Sequence, residues 1–247
     1  MKISVCVAIY NGSRFLKEQL GSILKEVGRT DEIVVVDDAS SDNSVQLVKK
    51  LKNKRIKTYV NDFNIGPIRT FERALKNTNG DIIFFADQDD IWIRGKVKKT
   101  LDVFKKVKPA AVVSDAVVVD EKGNVISESF FKKMNSSPGV IKNYYKNTYI
   151  GACMAIDARA KKWLLPFPEN ISMHDKWIGL TCDFVGGVYF LNEPLIYYRR
   201  HQGAFTKDRR FPMRKVLVDR LIFLTVILKR APNLFFWRWK LRNAMRL

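Results

Sequence analysis

Short apolar runs alternate with amphipathic segments along the first third of the chain. Residues 3–9 and 32–37 are apolar and rich in β-branched side chains, which predicts buried strands. Residues 56–60 predict a third, short strand, and residues 81–86 a fourth. Between these runs, apolar side chains recur at helical spacing over residues 15–24, 45–52 and 68–77. This alternation predicts a mixed, mostly parallel α/β sheet with right-handed crossovers and helices on its faces.

The second half of the chain predicts further elements with less regular connections. Strands are expected at 111–114 and 151–156, and a hairpin at 117–120 and 125–126 around the turn 121–124. Helices are expected up to about 165 and over 173–184, followed by two closing strands at 187–191 and 195–198. Residues 130–149 lack a clear period and are interpreted as a variable loop.

Polar side chains follow three of the predicted strands. Tyr10 follows the first strand, Asp38 the second, and the cluster Asp87-Gln88-Asp89-Asp90 the fourth. The carboxyl ends of parallel strands share one edge of a sheet, where ligands bind, so these side chains are expected to converge. Three carboxylates within four residues indicate a divalent cation such as Mg²⁺ or Mn²⁺. An acidic turn that merely caps a helix is the alternative, and the nearby Asp38 favours the cation.

Three segments in this order resemble a known enzyme family. The segments Val-Cys-Val-Ala-Ile-Tyr-Asn at 5–11, Val-Asp-Asp-Ala-Ser-Ser-Asp at 36–42 and Asp-Gln-Asp-Asp-Ile-Trp at 87–92 resemble family 2 of the glycosyltransferases. The resemblance covers roughly residues 1–205 and implies the Rossmann-like GT-A fold. It also implies transfer of a sugar from a nucleotide diphosphate to an acceptor hydroxyl, with inversion at the anomeric carbon.

The resemblance assigns roles to individual residues. Asp38 would hydrogen-bond the nucleotide base, and Tyr10 would border the base or be an ordinary turn aromatic. Asp89 would be the main metal ligand, His201 would complete the metal shell or belong to a solvated basic loop, and Asp90 would cap a helix or shape the site. The nucleotide-sugar site as a whole would include Ala8, Tyr10, Asn11, Asp38, Asp87, Gln88 and Arg199.

The helix predicted over 173–184 begins with His174-Asp175-Lys176-Trp177. In the family, a carboxylate at this point acts as general base toward the acceptor hydroxyl, and this role falls to Asp175, whose alternative is a simple helix N-terminal carboxylate. His174 and Trp177 would line the acceptor site beside the variable loop. The His-Asp-Lys-Trp segment resembles the rhamnosyltransferase branch. It implies dTDP-L-rhamnose as donor and a lipid-linked glycan as acceptor, with a UDP-hexose or UDP-N-acetylhexosamine as the alternative donor.

Composition adds a membrane interpretation of the C-terminal segment. The chain has 247 residues, 47% of them hydrophobic, and a net charge of +19. Residues 207–247 hold twelve Lys or Arg and two Asp, a net charge of +10, interleaved with apolar and aromatic residues. This pattern favours a tail at 206–247 that associates with an anionic membrane, after a catalytic domain at 1–205 with a nucleotide-sugar half at 1–110 and an acceptor half at 111–205. A helical pair packed on that domain and an oligomer contact, such as a homodimer, are the alternatives.

Location follows from the composition together with the resemblance. Three scattered cysteines and no signal-peptide pattern predict a reducing compartment. The lipid-linked acceptor that the resemblance implies then gives a peripheral enzyme at the cytoplasmic face of a bacterial inner membrane, active in surface polysaccharide synthesis. The charge alone would also suit a nucleic-acid-binding protein, but no nucleic-acid motif accompanies it. A nucleotidyltransferase would need a glycine-rich loop after the first strand, and residues 11–13 are too short to form one.

Overall fold

The strands and helices follow the apolar pattern closely in the first half of the chain. The computed structural model describes residues 1–201 and 213–230. Its strands are β1 (Ile3–Ile9), β2 (Glu32–Asp37), β3 (Ile56–Val60), β4 (Ile82–Ala86), β5 (Ile91–Trp92), β6 (Ala111–Val119), β7 (Val125–Ser127), β8 (Met154–Asp157) and β9 (Val188–Arg199). Its helices are α1 (Ser13–Glu26), α2 (Ser44–Lys50), α3 (Gly66–Lys76), α4 (Lys96–Val107), α5 (Phe130–Met134), α6 (Val140–Tyr145), α7 (Lys161–Leu164), α8 (His174–Val185) and α9 (Met213–Arg230).

The strands of the described residues form one mixed sheet in the order β3-β2-β1-β4-β8-β6-β9-β5, with β7 paired to β6. The first four strands along the chain are mutually parallel, with β1 between β2 and β4. β8 runs antiparallel to both β4 and β6, and β9 runs parallel to β6. The predicted α/β fold with a mostly parallel sheet between helices is therefore confirmed.

The centre of the sheet is buried on both faces. Val5 of β1 lies in register with Ile33 of β2 and Phe84 of β4, and all three side chains are fully buried. Burying one such side chain stabilises a fold by about 1.5–3 kcal/mol. Because three neighbouring strands are fixed this way, their carboxyl ends are held at one edge.

Several predictions for the second half were wrong in detail. The two closing strands are one strand, β9, which contains Pro194 at a point where the register with β6 shifts beside Ser114 and Asp115. Proline is tolerated within a strand at such an irregularity. Residues 130–149, interpreted as a loop, contain α5 and α6, and residues 151–153 form a 3₁₀ turn ahead of β8.

Helix α9 packs on the α/β fold through one face. Phe223 and Ile227 are buried, and the Phe223 ring lies 6.1 Å from Trp177 of α8 and 6.0 Å from Tyr144 of α6. Within the described ranges, no helix is both long enough and apolar enough to cross a membrane. Of the predicted tail, residues 206–212 and 231–247 lie outside the described residues, and the proposed domain division remains a prediction.

Candidate active site

The loops after β1, β2 and β4 meet at the carboxyl edge of the sheet. The loop after β1 carries Tyr10, Asn11 and Gly12, and the loop after β2 carries Asp38. The loop after β4 carries residues 87–90, hereafter the acidic loop. Since β1 lies between β2 and β4, its loop separates Asp38 from the acidic loop. The predicted residues are thus brought to one place although they are distant in sequence.

Gln88 binds the β1 loop through both ends of its amide. Its Oε1 accepts a hydrogen bond from the Tyr10 backbone N–H at 2.7 Å, and its Nε2 donates to the Tyr10 carbonyl at 3.0 Å. On the other side, the Asn11 side chain accepts a hydrogen bond from the Ser41 N–H at 2.9 Å. Gln88 and Asn11, both predicted to bind the nucleotide sugar, therefore hold Tyr10 between two loops. The Tyr10 ring itself is exposed, and Ala8 is half-buried at the end of β1.

Gly12 leaves the space that the Gln88 amide occupies. A Cβ at residue 12 would lie 2.3 Å from Gln88 Oε1, so Gly12→Ala must displace that amide. We expect Gly12→Ala and Gln88→Ala each to lower the free energy of unfolding by about 1–3 kcal/mol, the value of two neutral hydrogen bonds. Denaturant titration of the single and double variants measures both effects.

The double variant tests whether the two effects have one cause. If Gly12→Ala acts by displacing the amide, it costs nothing further in a chain that already carries Gln88→Ala. Additive losses in the double variant would show that Gly12 is needed for another reason.

Asp38 is buried beneath the loop that precedes α3. Its Oδ1 accepts hydrogen bonds from Asn61 Nδ2 at 2.7 Å and the Ile65 N–H at 2.9 Å, and its Oδ2 accepts one from the Gly66 N–H at 2.9 Å. The carboxylate therefore fixes the loop over residues 61–66. The contact of Asp38 with a nucleotide base stays a prediction. Its Oδ2 accepts only one hydrogen bond here and could accept another from a base.

The three carboxylates of the acidic loop have different surroundings. Asp90 is buried; one oxygen accepts a hydrogen bond from the Arg199 N–H at 2.9 Å, and the other accepts none from a described residue. Burial, followed by the neighbouring Asp89 and Asp87, raises the pKa of Asp90 well above its usual value. Burial, Asp89 and Asp175 together raise the pKa of Asp87 to about 7. Asp90 therefore shapes the loop, whereas Asp87 and Asp89 are only partly buried.

Asp89 contacts the end of β9. Its Oδ2 lies 2.8 Å from His201 Nε2, and the His201 ring lies 5.1 Å from the ring of Phe15. Among residues 1–201 and 213–230, no group of three or more His, Cys, Asp or Glu side chains is arranged to hold a metal. One carboxylate and one imidazole in contact are ligand types that suit a divalent cation, so Asp89 and His201 would be the residues that hold it.

Arg199 lies under the acidic loop with its guanidinium engaged. It donates to the backbone carbonyls of Asp89 at 2.9 Å and Glu121 at 3.1 Å, and to the Glu18 carboxylate at 2.8 Å. In this arrangement Arg199 fixes the position of Asp89. The predicted contact between Arg199 and a nucleotide sugar would require one of these bonds to open.

Asp175 stands in the first turn of α8, where it is buried. Its Oδ1 accepts a hydrogen bond from the Lys176 N–H at 2.6 Å and lies 3.5 Å from Asn147 Nδ2. Burial raises the pKa of Asp175 to about 6, against the smaller opposing effect of these hydrogen bonds. Its charge is also one of the causes of the raised pKa of Asp87. A carboxylate with this pKa, near a potential phosphate site, can accept a proton at neutral pH.

His174 and Trp177 do not line an open site. The His174 ring stacks on Phe71 with centroids 4.2 Å apart, and burial lowers the pKa of His174 to about 3, so it is neutral. Trp177 is buried, and its Nε1 donates to the Leu164 carbonyl at 3.1 Å. The prediction that both contact an acceptor is therefore revised, because both support α8 from behind Asp175. Asn147, the neighbour of Asp175, was missed because nothing in its sequence context distinguishes it.

Comparison with known proteins matches the part of the chain that contains the loops after β1, β2 and β4. The family model described as Glycosyl transferase family 2 matches residues 4–163. The chain is 26% identical over 235 residues to glycosyltransferase GlyA of Streptococcus pneumoniae, which is 88% of this chain and 33% of GlyA. It is 26% identical over 213 residues to WfaP of Escherichia coli, a UDP-Glc:alpha-D-GlcNAc-diphosphoundecaprenol beta-1,3-glucosyltransferase, covering 84% of this chain and 80% of WfaP.

Solved structures share the fold. The structure of Staphylococcus aureus TarS with UDP-GlcNAc has a TM-score of 0.75 at 23% identity, covering 92% of this chain and 67% of that one. The mannosyltransferase PcManGT from Pyrobaculum calidifontis, with GDP-Man and Mn²⁺, has a TM-score of 0.61 at 20% identity, covering 78% of this chain and 54% of that one. The chain spans only 33% to 50% of the length of four curated relatives that it matches.

Proposed function

Because the chain belongs to glycosyl transferase family 2, we propose that it transfers a sugar from a nucleotide diphosphate to a hydroxyl of a lipid-linked glycan. The observation that supports this proposal is the combination of the acidic loop, at the carboxyl edge of the sheet, with Asp175, a buried carboxyl in the first turn of α8 that approaches Asn147. A base on α8 and a cation-binding loop after β4 are the two groups that such a transfer needs.

The donor is proposed to be a UDP-sugar. WfaP is named for UDP-Glc, and the TarS structure contains UDP-GlcNAc, whereas the relatives reported above give no support to the rhamnosyl donor expected from the sequence. A UDP-hexose or UDP-N-acetylhexosamine is therefore placed ahead of dTDP-L-rhamnose. WfaP is also named for an acceptor on diphosphoundecaprenol. A similar acceptor would place this enzyme at the cytoplasmic face of a bacterial inner membrane, in surface polysaccharide synthesis.

The proposed mechanism is a single inverting displacement. Asp175 takes the proton from the acceptor hydroxyl while the oxygen of that hydroxyl attacks the anomeric carbon. The attack comes from the face of the sugar opposite the departing nucleotide diphosphate. Tyr10 is exposed beside Asp38 and borders the base. Arg199 holds the acidic loop, and Gln88 holds the β1 loop. The donor and the acceptor would therefore meet a fixed arrangement of groups.

A divalent cation, Mg²⁺ or Mn²⁺, is proposed to bind at Asp89 and His201. When bound, it would offset the negative charge that develops on the leaving diphosphate. The PcManGT structure, which contains Mn²⁺, is a neighbour in fold that supports the use of such a cation. Burial and then the neighbouring Asp89 carboxylate raise the pKa of Asp87. A cation would relieve the repulsion between the two carboxylates.

A donor panel tests the proposed function. The full chain is titrated with UDP-glucose, UDP-galactose, UDP-GlcNAc and dTDP-L-rhamnose in the presence of Mn²⁺ or Mg²⁺, and binding and release of free nucleotide are measured. A UDP-sugar should bind and be turned over slowly by water. Turnover of dTDP-L-rhamnose alone would restore the rhamnosyl donor, and binding of none would contradict the enzyme class.

The pH dependence of transfer follows from the raised pKa of Asp175. The base form exists above about pH 6 and is lost by protonation as the pH falls through that value. We therefore expect kcat/KM to be level above this pH and to fall about tenfold per pH unit below it. Transfer rates measured from acid to neutral pH at saturating cation give the profile. A rate that stays level down to the pKa of an ordinary carboxyl, about 4, would contradict the assignment.

A further inference from the structure

Large apolar side chains are exposed on two neighbouring helices, α6 and α9. On α6, Ile141 is 77% exposed and Tyr145 65%. On α9, Leu221 is 62% exposed. The α6–α9 surface, as we call it, consists of Ile141, Tyr145, Leu217, Val218, Leu221 and Leu224. Scattered exposed apolar residues are normal, but six on two adjoining helices indicate a binding surface.

Polar and aromatic contacts hold the two helices together. Arg220 of α9 lies over the rings of Tyr144 and Tyr145, at 5.8 and 5.0 Å from their centroids, and donates to the Tyr145 carbonyl at 3.1 Å. In return, the Tyr144 hydroxyl donates to the Arg220 carbonyl at 3.2 Å. The two exposed sets therefore belong to one packed unit.

The charge around this surface selects its partner. Lys146 follows α6, and Arg214 and Lys229 lie near the two ends of α9; all three are exposed. Arg214 and Lys229 belong to the segment 207–247, whose net charge is +10. Apolar side chains with cations around them match the boundary between headgroups and acyl chains in an anionic bilayer. Neither helix is long and apolar enough to cross a membrane, so both would lie in its surface.

The α6–α9 surface is also close to the proposed base. Asn147, two residues beyond the end of α6, approaches Asp175, and Trp177, two residues beyond Asp175, packs against Phe223 of α9. Two residues of chain span at most about 7 Å. The α6–α9 surface therefore adjoins α8, the helix that carries Asp175.

We propose that the α6–α9 surface binds an anionic lipid bilayer, with Ile141, Tyr145 and Leu221 entering the headgroup boundary. α6 and α9 thereby form one membrane-binding site. That the surface also delivers the acceptor to Asp175 rests on the proposed function; that it binds lipid does not.

Sedimentation with vesicles tests this proposal on the full chain. The double variant Ile141→Ser/Leu221→Ser is compared with wild type on phosphatidylcholine vesicles with and without phosphatidylglycerol. Wild type should sediment with the anionic vesicles. The partition coefficient of the double variant should be lower by a factor of about ten or more, since two apolar side chains no longer enter the bilayer. The control Val107→Ser/Ile126→Ser removes two comparably exposed apolar side chains from α4 and β7 and should bind like wild type.

Other results would overturn the proposal. These are equal vesicle binding by wild type and the α6–α9 variant, absence of wild type from the vesicle pellet, or an equal loss in the control. Analytical ultracentrifugation tests for a dimer. If wild type and the control dimerise with concentration and the α6–α9 variant does not, the partner is a second copy of this chain instead. Nucleotide-sugar binding without vesicles is measured in parallel, so that loss of the donor reaction and loss of lipid binding are told apart.

Discussion

Asp175→Asn is expected to reduce the rate of sugar transfer by about 10²- to 10⁴-fold, the usual contribution of a general base. The change keeps the size of the side chain and an oxygen that can accept the Lys176 N–H, so α8 should begin as in wild type. It removes the group that we propose accepts the proton of the acceptor hydroxyl. Donor affinity should stay close to that of wild type, because Asp175 acts on the acceptor side. Transfer rates at saturating donor, with calorimetric titration of the donor, measure both quantities.

A matched control isolates the chemistry of Asp175 from the loss of one negative charge. Asp102→Asn makes the same substitution on the exposed side of α4 and should leave transfer unchanged. The pH profile provides a second check, since the fall in rate below about pH 6 should disappear in Asp175→Asn. A variant that retains a tenth or more of the wild-type rate would require another base. Asp87, whose pKa is raised to about 7, is the next carboxyl to examine.

The first half of the fold was predictable because its three central strands, β1, β2 and β4, are buried on both faces. Runs such as 3–9 and 32–37 have no solvent-facing alternation, so the parallel centre of the sheet and the edge holding Tyr10, Asp38 and the acidic loop follow directly. The second half depends on contacts distant in sequence. β9 looks like two strands because Asn192-Glu193-Pro194 resembles a turn, yet pairing with β6 and β5 carries the chain through it.

Short helices were missed for a related reason. α6 has six residues, too few to be stable alone, and it depends on Tyr144 packing against Phe223 and on the Arg220 contacts. No period can be read from so short a segment. The consequence for function is substantial, because α6 connects the exposed apolar surface with Asn147 and Asp175.

Residue roles were harder to predict than residue positions. The sequence correctly places Gln88, Asp38 and Arg199 at the carboxyl edge of the sheet. Each side chain there forms a hydrogen bond with the backbone of a neighbouring loop. A motif gives the position of a side chain along a strand end, but it does not show which backbone groups nearby lack a partner. Those backbone groups decide where amides, carboxylates and guanidinium groups are used. Fixing the loops is thus a large part of what these motif residues do.

Asp89→Asn should abolish the dependence of donor binding on a divalent cation and slow donor turnover by about 10²-fold or more. Asp89 is the half-buried carboxylate in contact with His201. In the proposed mechanism its negative charge would attract the cation that offsets charge on the leaving diphosphate. A loss of several kcal/mol in transition-state stabilisation corresponds to at least that factor. Nucleotide release is measured with Mn²⁺, Mg²⁺ or a chelator, and the shift in Tm on adding UDP and cation is measured alongside.

The cation-linked shift in Tm separates metal binding from chemistry. Wild type and Asp102→Asn should gain Tm when UDP and Mn²⁺ are added together, because a ligand that binds only the folded state stabilises it. Asp89→Asn should gain no more with Mn²⁺ than with the chelator. If Asp89→Asn keeps the full cation-dependent shift, the cation binds elsewhere. Asp89 would then act through its contact with His201, and the transfer would have to be explained without a cation at the acidic loop.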